Sequence, residues 1–134
     1  ELHQPSKSCT SHEISYIYKN PEVSKILNGI SIVEMYHLKL LGEILIQLGA
    51  EPGYWIDNKK KNYWSSKLLD YDLSSLKHIL EIDINSEKEA IKQYKETISK
   101  ISDENINDIL KRIILDEEIH IQLFLDLYKK YAIQ

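Results

Sequence analysis

Residues 50–66, AEPGYWIDNKKKNYWSS, interrupt an otherwise helical chain, and their length decides how its helices are connected. Gly53 and Pro52 open the stretch and three consecutive lysines, Lys59–Lys61, occupy its middle, the composition of a solvated loop. At up to about 3.3 Å per residue it can run the full length of a ~30 Å helix bundle. On its N-terminal side the apolar residues Val23, Ile26, Ile30, Val33, Leu41, Ile44, Leu45 and Leu48 recur every three or four positions, predicting a helix over about 21–48. A shorter helix over about 5–19 precedes it, and Asn20-Pro21 restarts the chain between the two. On the C-terminal side Leu69, Leu73, Leu76, Leu80, Ile84, Ile91, Ile98 and Ile101 predict a third helix over about 66–101. SDEN then supplies the N-cap candidates Ser102 and Asp103 for a fourth, over about 103–132. No alternating strand pattern competes, so the fold class is all-α. The first and second helices, and the third and fourth, are tightly joined and form antiparallel hairpins. The long connection lets the third helix start at the far end, giving a four-helix bundle with one crossover. An up-down bundle with a loose loop is the competing arrangement.

The 134 residues are read as one domain, 1–134, long enough for a real core. Hydrophobic residues make up 43% and charged residues 28%, a globular composition. A net charge of −4, with Arg112 the lone arginine, gives no basic field for nucleic acid. No apolar run approaches a membrane span and no signal-peptide pattern is present. Cys9 stands alone, which excludes an internal disulfide and any Cys-x-x-Cys motif. A single thiol suits a reducing compartment, so a cytoplasmic protein is expected. The chain opens on Glu1 rather than Met, so its N-terminus is expected to extend further.

The second helix carries an anomaly. SIVEMYHLKLL, residues 31–41, puts Glu34 and His37 on the apolar Ile30–Leu41 face. IILDEEIHIQLF, residues 113–124, repeats it: Glu117 and His120 extend the stripe of Leu110, Ile113, Ile121, Phe124 and Leu127. On the third helix Glu87 lies in line with Leu80, Ile84, Ile91, Tyr94 and Ile98, whereas Glu89 faces away. Buried carboxylates need partners. Glu and His at i and i+3 project from one helical face within reach of a shared ion, and carboxylate with imidazole suits Fe, Mn or Zn. One Glu-x-x-His is weak evidence; two on neighbouring antiparallel helices, with a third helix adding an acid, are strong. Exposed surface pairs on helices of misjudged phase are the alternative.

VEMYHLKLLGEILIQLG (33–49), EKEAIKQY (87–94) and ILDEEIHIQLF (114–124) resemble the ferritin-like di-iron carboxylate superfamily, in its rubrerythrin and bacterioferritin branch. The resemblance covers most of residues 20–132. It implies that Glu34 and Glu117 bridge or chelate two iron ions, with Mn or Zn as alternatives, that His37 and His120 each cap one, and that Glu87 is a terminal ligand. Asp83 and Asp116 become candidate acceptors for the histidine N–H groups. Tyr94 is a candidate hydrogen-bond donor to a ligand or bound oxygen species, with core packing as its other reading. The family pattern also wants a carboxylate from the first helix. Only Glu1 remains there, and a helix starting at Pro5 would leave Glu1 outside it. Three glutamates against two divalent ions leave one negative charge to come from Glu1, hydroxide or a bound anion. His3, His12 and Glu13 are spare ligand candidates near the first helix, with surface residues as their favoured reading.

The resemblance implies an oxidoreductase that reduces peroxide or reacts with oxygen, a di-iron peroxidase or a dimanganese catalase-like enzyme. With one cysteine the chain has no rubredoxin-type iron site, so an external electron donor is implied. Iron binding or storage is the second reading, and a structural bundle with a degenerate metal site the third. Apolar surface left by the short first helix predicts a homodimer or larger assembly.

Overall fold

The computed structural model describes residues 12–16, 19–53, 55–57, 62–63 and 75–133. Residues 12–16 are helical and are labelled α1. Helix α2 spans Pro21–Gln47. Asn20 caps its start, its side chain accepting from the backbone N–H groups of Glu22 and Val23, and Pro21 sits where no donor is needed. Its end is marked by Gly49, whose φ of 75° is a left-handed conformation open to glycine at no cost.

Within the long connection, β1 (Trp55–Asp57) and β2 (Asn62–Tyr63) form a small antiparallel ribbon, with Trp55 opposite Tyr63 and Asp57 opposite Asn62. Periodicity gives no sign of it, because these runs are too short to alternate. Helix α3 runs Leu76–Ile98, not from residue 66. Ser75 is extended (φ −135°, ψ 124°) and caps the helix through His78 N–H, which ends any continuous helix from upstream. The stripe residues Leu69 and Leu73 lie outside the described residues. Helix α4 spans Glu104–Leu127, and Asp103 rather than Ser102 caps it by accepting from Ile106 N–H. Its last turn widens to a π-helical segment, Tyr128–Ala132.

Contacts across the bundle settle the topology. Glu34 meets His120 and His37 meets Glu117, while further along Glu22 pairs with Lys130, so α2 and α4 are antiparallel. Glu87 meets His120 and Glu81 bonds Tyr128, so α3 and α4 are antiparallel too. Helices α2 and α3 therefore point the same way, and the chain between Gln47 and Leu76 has to return along the bundle. An up-down bundle is excluded, since it would make them antiparallel. The all-α four-helix arrangement with a crossover is the observed one.

Two apolar clusters fill the interior. One joins Tyr16, Leu27, Leu80, Phe124 and Leu127 at the end where α2 and α3 begin. The other joins Ile44, Ala90, Tyr94, Leu110 and Ile113 toward the opposite end. Fully buried side chains of this size stabilise by about 1.5–3 kcal/mol each. Five buried charged or ionisable residues fall between the clusters: Glu34 and His37 between Ile30 and Ile44 on α2, Glu87 between Ile84 and Ala90 on α3, Glu117 and His120 between Ile114 and Phe124 on α4. Among the described residues the interior is apolar at both ends, with a polar layer between the clusters and a second buried polar pair, His12 and Asp83, beside the first cluster. No helix among the described residues is long and apolar enough to cross a membrane.

Candidate metal centre

The i, i+3 spacing turns Glu34 with His37, and Glu117 with His120, inward on α2 and α4, and α3 adds Glu87. Glu34, Glu87 and Glu117 are at most 1% exposed, and His37 and His120 are 1% and 3% exposed. Surface pairs on misphased helices are thereby excluded. Glu34, Glu87, Glu117 and His120 each offer a ligand atom, and those four atoms lie within 4.8 Å of one another. His120 Nδ1 is 3.0 Å from Glu117 Oε2, 3.0 Å from Glu34 Oε1 and 3.6 Å from Glu87 Oε1. His37 flanks that group: its Nδ1 is 3.3 Å from Glu117 Oε1 and 3.6 Å from Glu34 Oε1. The two imidazole centroids are 6.1 Å apart.

Three carboxylates in so small a dry volume need positive charge. Burial alone would depress the pKa of His37, but the carboxylates of Glu117 and Glu34 outweigh it and raise it to about 9. His120, also opposed by burial, is raised to about 11 by Glu117, Glu34 and Glu87. Without another cation, the histidines carry protons here. Burial, then the charges of Glu117, Glu34 and Glu87, also pushes the Tyr94 hydroxyl up, so it keeps its proton. The donor set of carboxylate oxygens and imidazole nitrogens, facing inward with excess negative charge, fits divalent Fe, Mn or Zn.

Outside this layer the two predicted aspartates part company. Asp116 accepts from His37 Nε2 at 3.2 Å, and its other oxygen is 2.6 Å from Arg112 Nη2. Asp83 meets neither central histidine. It accepts instead from His12 Nδ1 at 3.0 Å, in a pair only 1% and 2% exposed. The reading of His12 as a surface residue is therefore corrected: it ties α1 to α3 from within the core. Glu13 is half-buried and Glu89 exposed. Glu1 and His3 lie outside the described residues, so the carboxylate expected from the first helix is not among the groups brought together here.

Arg112 was missed by sequence reasoning. The signal was present, since Arg112 and Asp116 stand at the i, i+4 spacing of a helical ion pair. Also missed was a groove of about 490 Å³ between α2 and α4, whose lining includes Val33, Ile119, Leu123, Asp116 and His120.

A solved structure with the same fold is a dodecameric thioferritin, the bacterioferritin-related protein from Bacteroides fragilis. It aligns over 96% of this chain and 84% of its own, with a TM-score of 0.65 and 21% identity. No curated protein sequence matches the chain. The rubrerythrin family model matches residues 12–128, from the buried His12 of α1 to the end of α4 and across every residue of the polar layer. The chain belongs to the rubrerythrin family.

Proposed function

We propose that the chain is a dimetal carboxylate oxidoreductase of the rubrerythrin type, which holds two iron ions and reduces peroxide or reacts with oxygen. The buried cluster of Glu34, Glu87, Glu117 and His120 carries this reading. Glu34 and Glu117, each near both imidazoles, would serve both ions, Glu87 would add the third carboxylate, and His37 and His120 would each serve one ion. When bound, the ions supply the electrons that split an O–O bond. The rest is the work of the chain. His37 Nε2–H donates a hydrogen bond to Asp116, which aims Nδ1 at the carboxylates and, once the Nδ1 proton is displaced, would fix the tautomer that presents its lone pair to an ion. The protons on both histidines would be released on metal binding, so the cluster holds either protonated imidazoles or metal against the same carboxylates. Tyr94 keeps a hydroxyl proton beside the layer, available for hydrogen bonding. The apolar clusters on either side limit water. The fourth negative charge comes from Glu1, hydroxide or a bound anion, and electrons come from an external donor.

Iron handling within a homo-oligomeric cage is the second reading, favoured by the likeness to a dodecameric thioferritin. Metal analysis of protein purified without oxygen, with peroxide consumption, tests the first. About two Fe per chain and rapid peroxide loss are expected. Substoichiometric metal that Glu117→Ala leaves unchanged would sink the dimetal reading. The mass of the assembly by size exclusion, with iron uptake far above two per chain, would turn the choice toward storage.

A further inference from the structure

The centre has one closed side and one open side. On the closed side, His37 Nε2 is committed to Asp116, and Asp116 to Arg112. On the open side, His120 turns Nδ1 to the carboxylates, and among the described residues no hydrogen-bond partner faces its Nε2. Local sequence explains the difference. Asp116 immediately precedes Glu117, and on α2 the residue immediately preceding Glu34 is Val33. An acid there would face His120 as Asp116 faces His37; valine instead forms part of the wall of the groove that His120 lines.

That groove has mainly aliphatic walls, Ile26, Ile30 and Val33 from α2 with Ile119 and Leu123 from α4; of its charged residues, Lys25 and Glu22 stand one and two turns from Gly29 toward the start of α2, and Asp116 is held by His37 and Arg112. Gly29 widens it: a Cβ added there would meet nothing within 4 Å. Its volume, about 490 Å³, is many times the roughly 30 Å³ that a water molecule occupies in the liquid. It falls in the range of sites that hold organic ligands, about 300–1,000 Å³. Hydrogen peroxide would leave such walls uncovered, and a hydrated cation would lose solvation against them.

From this we infer that the α2–α4 groove binds the apolar tail of an organic hydroperoxide and delivers its O–O group to the His120 side of the centre. This rests on the peroxide-reducing reading above and specifies its substrate class. The reaction balances as ROOH plus two electrons and two protons giving ROH and water. The O–O bond breaks, and a ferrous-loaded centre supplies both electrons in one turnover, so one hydroperoxide is consumed per two Fe(II). A one-electron redox protein restores the electrons between turnovers.

Two measurements on the full chain decide it. In the first, 2-phenylpropan-2-ol, the alcohol product of cumene hydroperoxide, is titrated into the protein as purified and followed by amide and methyl NMR. Saturable shifts are expected at Gly29, Val33, Ile119 and Leu123, weakened at least tenfold in Gly29→Phe, which fills the groove. Removing a helical glycine favours the helix, so this variant is expected to fold. In the second, anaerobic ferrous-loaded protein is mixed with cumene hydroperoxide or with hydrogen peroxide. Gly29→Phe should lower the ratio of their single-turnover rates at least tenfold. An unchanged ratio, or shifts scattered away from the groove, overturns the inference. So does an assembly in which a second copy fills the groove, seen as shifts that emerge only on dilution to protomers. If neither peroxide reacts, the peroxide-reducing reading fails and the substrate inference falls with it; if hydrogen peroxide reacts and the ratio is unmoved, only the groove inference falls.

Discussion

The two histidines of the polar layer stand at equivalent places on α2 and α4, each three residues after a buried glutamate, yet their outer edges meet different surroundings. His37 ends on Asp116 and, through it, on the exposed guanidinium of Arg112. His120 ends on a groove of mainly aliphatic walls, whose nearby carboxylate, Asp116, is already engaged by His37 and Arg112. A carboxylate beside an imidazole N–H strengthens the opposite nitrogen as a donor. The His37 half should therefore hold its ion tightly, and the His120 half more loosely and nearer the place where a small molecule can approach. One residue step, Asp116 on α4 against Val33 on α2, separates them.

The comparison breaks altogether if the shared part is removed. Glu117 lies beside both imidazoles, so Glu117→Ala should abolish binding of both ions. Metal content by mass spectrometry should fall from about two per chain to near zero, and retention of one ion would show that the halves are independent. Two aspartates expected to share a role give the next contrast. Asp83 holds His12, outside the layer, in a fully buried pair. His12→Ala should cost about 3–5 kcal/mol, the usual price of breaking such a pair, read as a lower urea midpoint with little change in metal stoichiometry. Asp116→Asn should do the reverse. Affinity for one of two ions should fall about 10–100-fold, so a titration with Fe(II) or Zn(II) that began as two close steps should separate or reorder, while the fold stays put.

Protons sharpen the same contrast. In the metal-free protein both imidazoles have pKa values above the unfolded value of 6.5, about 9 for His37 and about 11 for His120. The stability this provides is full below about pH 6.5 and is lost as pH rises through those folded values. The melting temperature of metal-free protein should fall between pH 7 and pH 10, with the loss at the lower end belonging to His37. Metal-loaded protein should show little of this fall, because metal has replaced the protons. At pH 7 metal binding should release about two protons per chain, measurable in weakly buffered solution.

Much of this was legible in the sequence because a buried charge breaks a pattern that is otherwise regular. Glu34, Glu87 and Glu117 stand out against stripes of leucine and isoleucine, and the spacing of each histidine from its acid follows from helix geometry. The crossover was legible as length alone. What could not be read were pairings between segments far apart in the chain. Nothing near His12 announces that it meets Asp83, 71 residues away, since burial of α1 depends on where α3 lies. The ribbon at Trp55–Asp57 and Asn62–Tyr63 rests on a turn and a register rather than on periodicity. Leu69 and Leu73 continue the stripe of the third helix upstream, but Ser75 takes an extended cap conformation and the helix begins at Leu76. The groove was invisible for a different reason: Val33 reads as one more apolar residue until its counterpart on α4 is known to be an aspartate.

The smallest effect should come from Arg112. Its side chain is 63% exposed, against 17% for Asp116, so the ion pair faces solvent on one side. Exposed pairs contribute about 0.2–1 kcal/mol and are screened by salt. Arg112→Gln should leave the melting temperature almost unchanged. Its consequence lies in direction: Arg112 holds one oxygen of Asp116, which leaves the other aimed at His37 Nε2. Without that hold the carboxylate can turn toward water, and the tighter of the two metal-binding steps should weaken by less than tenfold, since at most about 1 kcal/mol is at stake. Raising salt in the wild type should mimic part of the change, because it screens the same pair. If Arg112→Gln instead weakened the looser step, associated with His120, the bracing of His37 would not be what distinguishes the two halves.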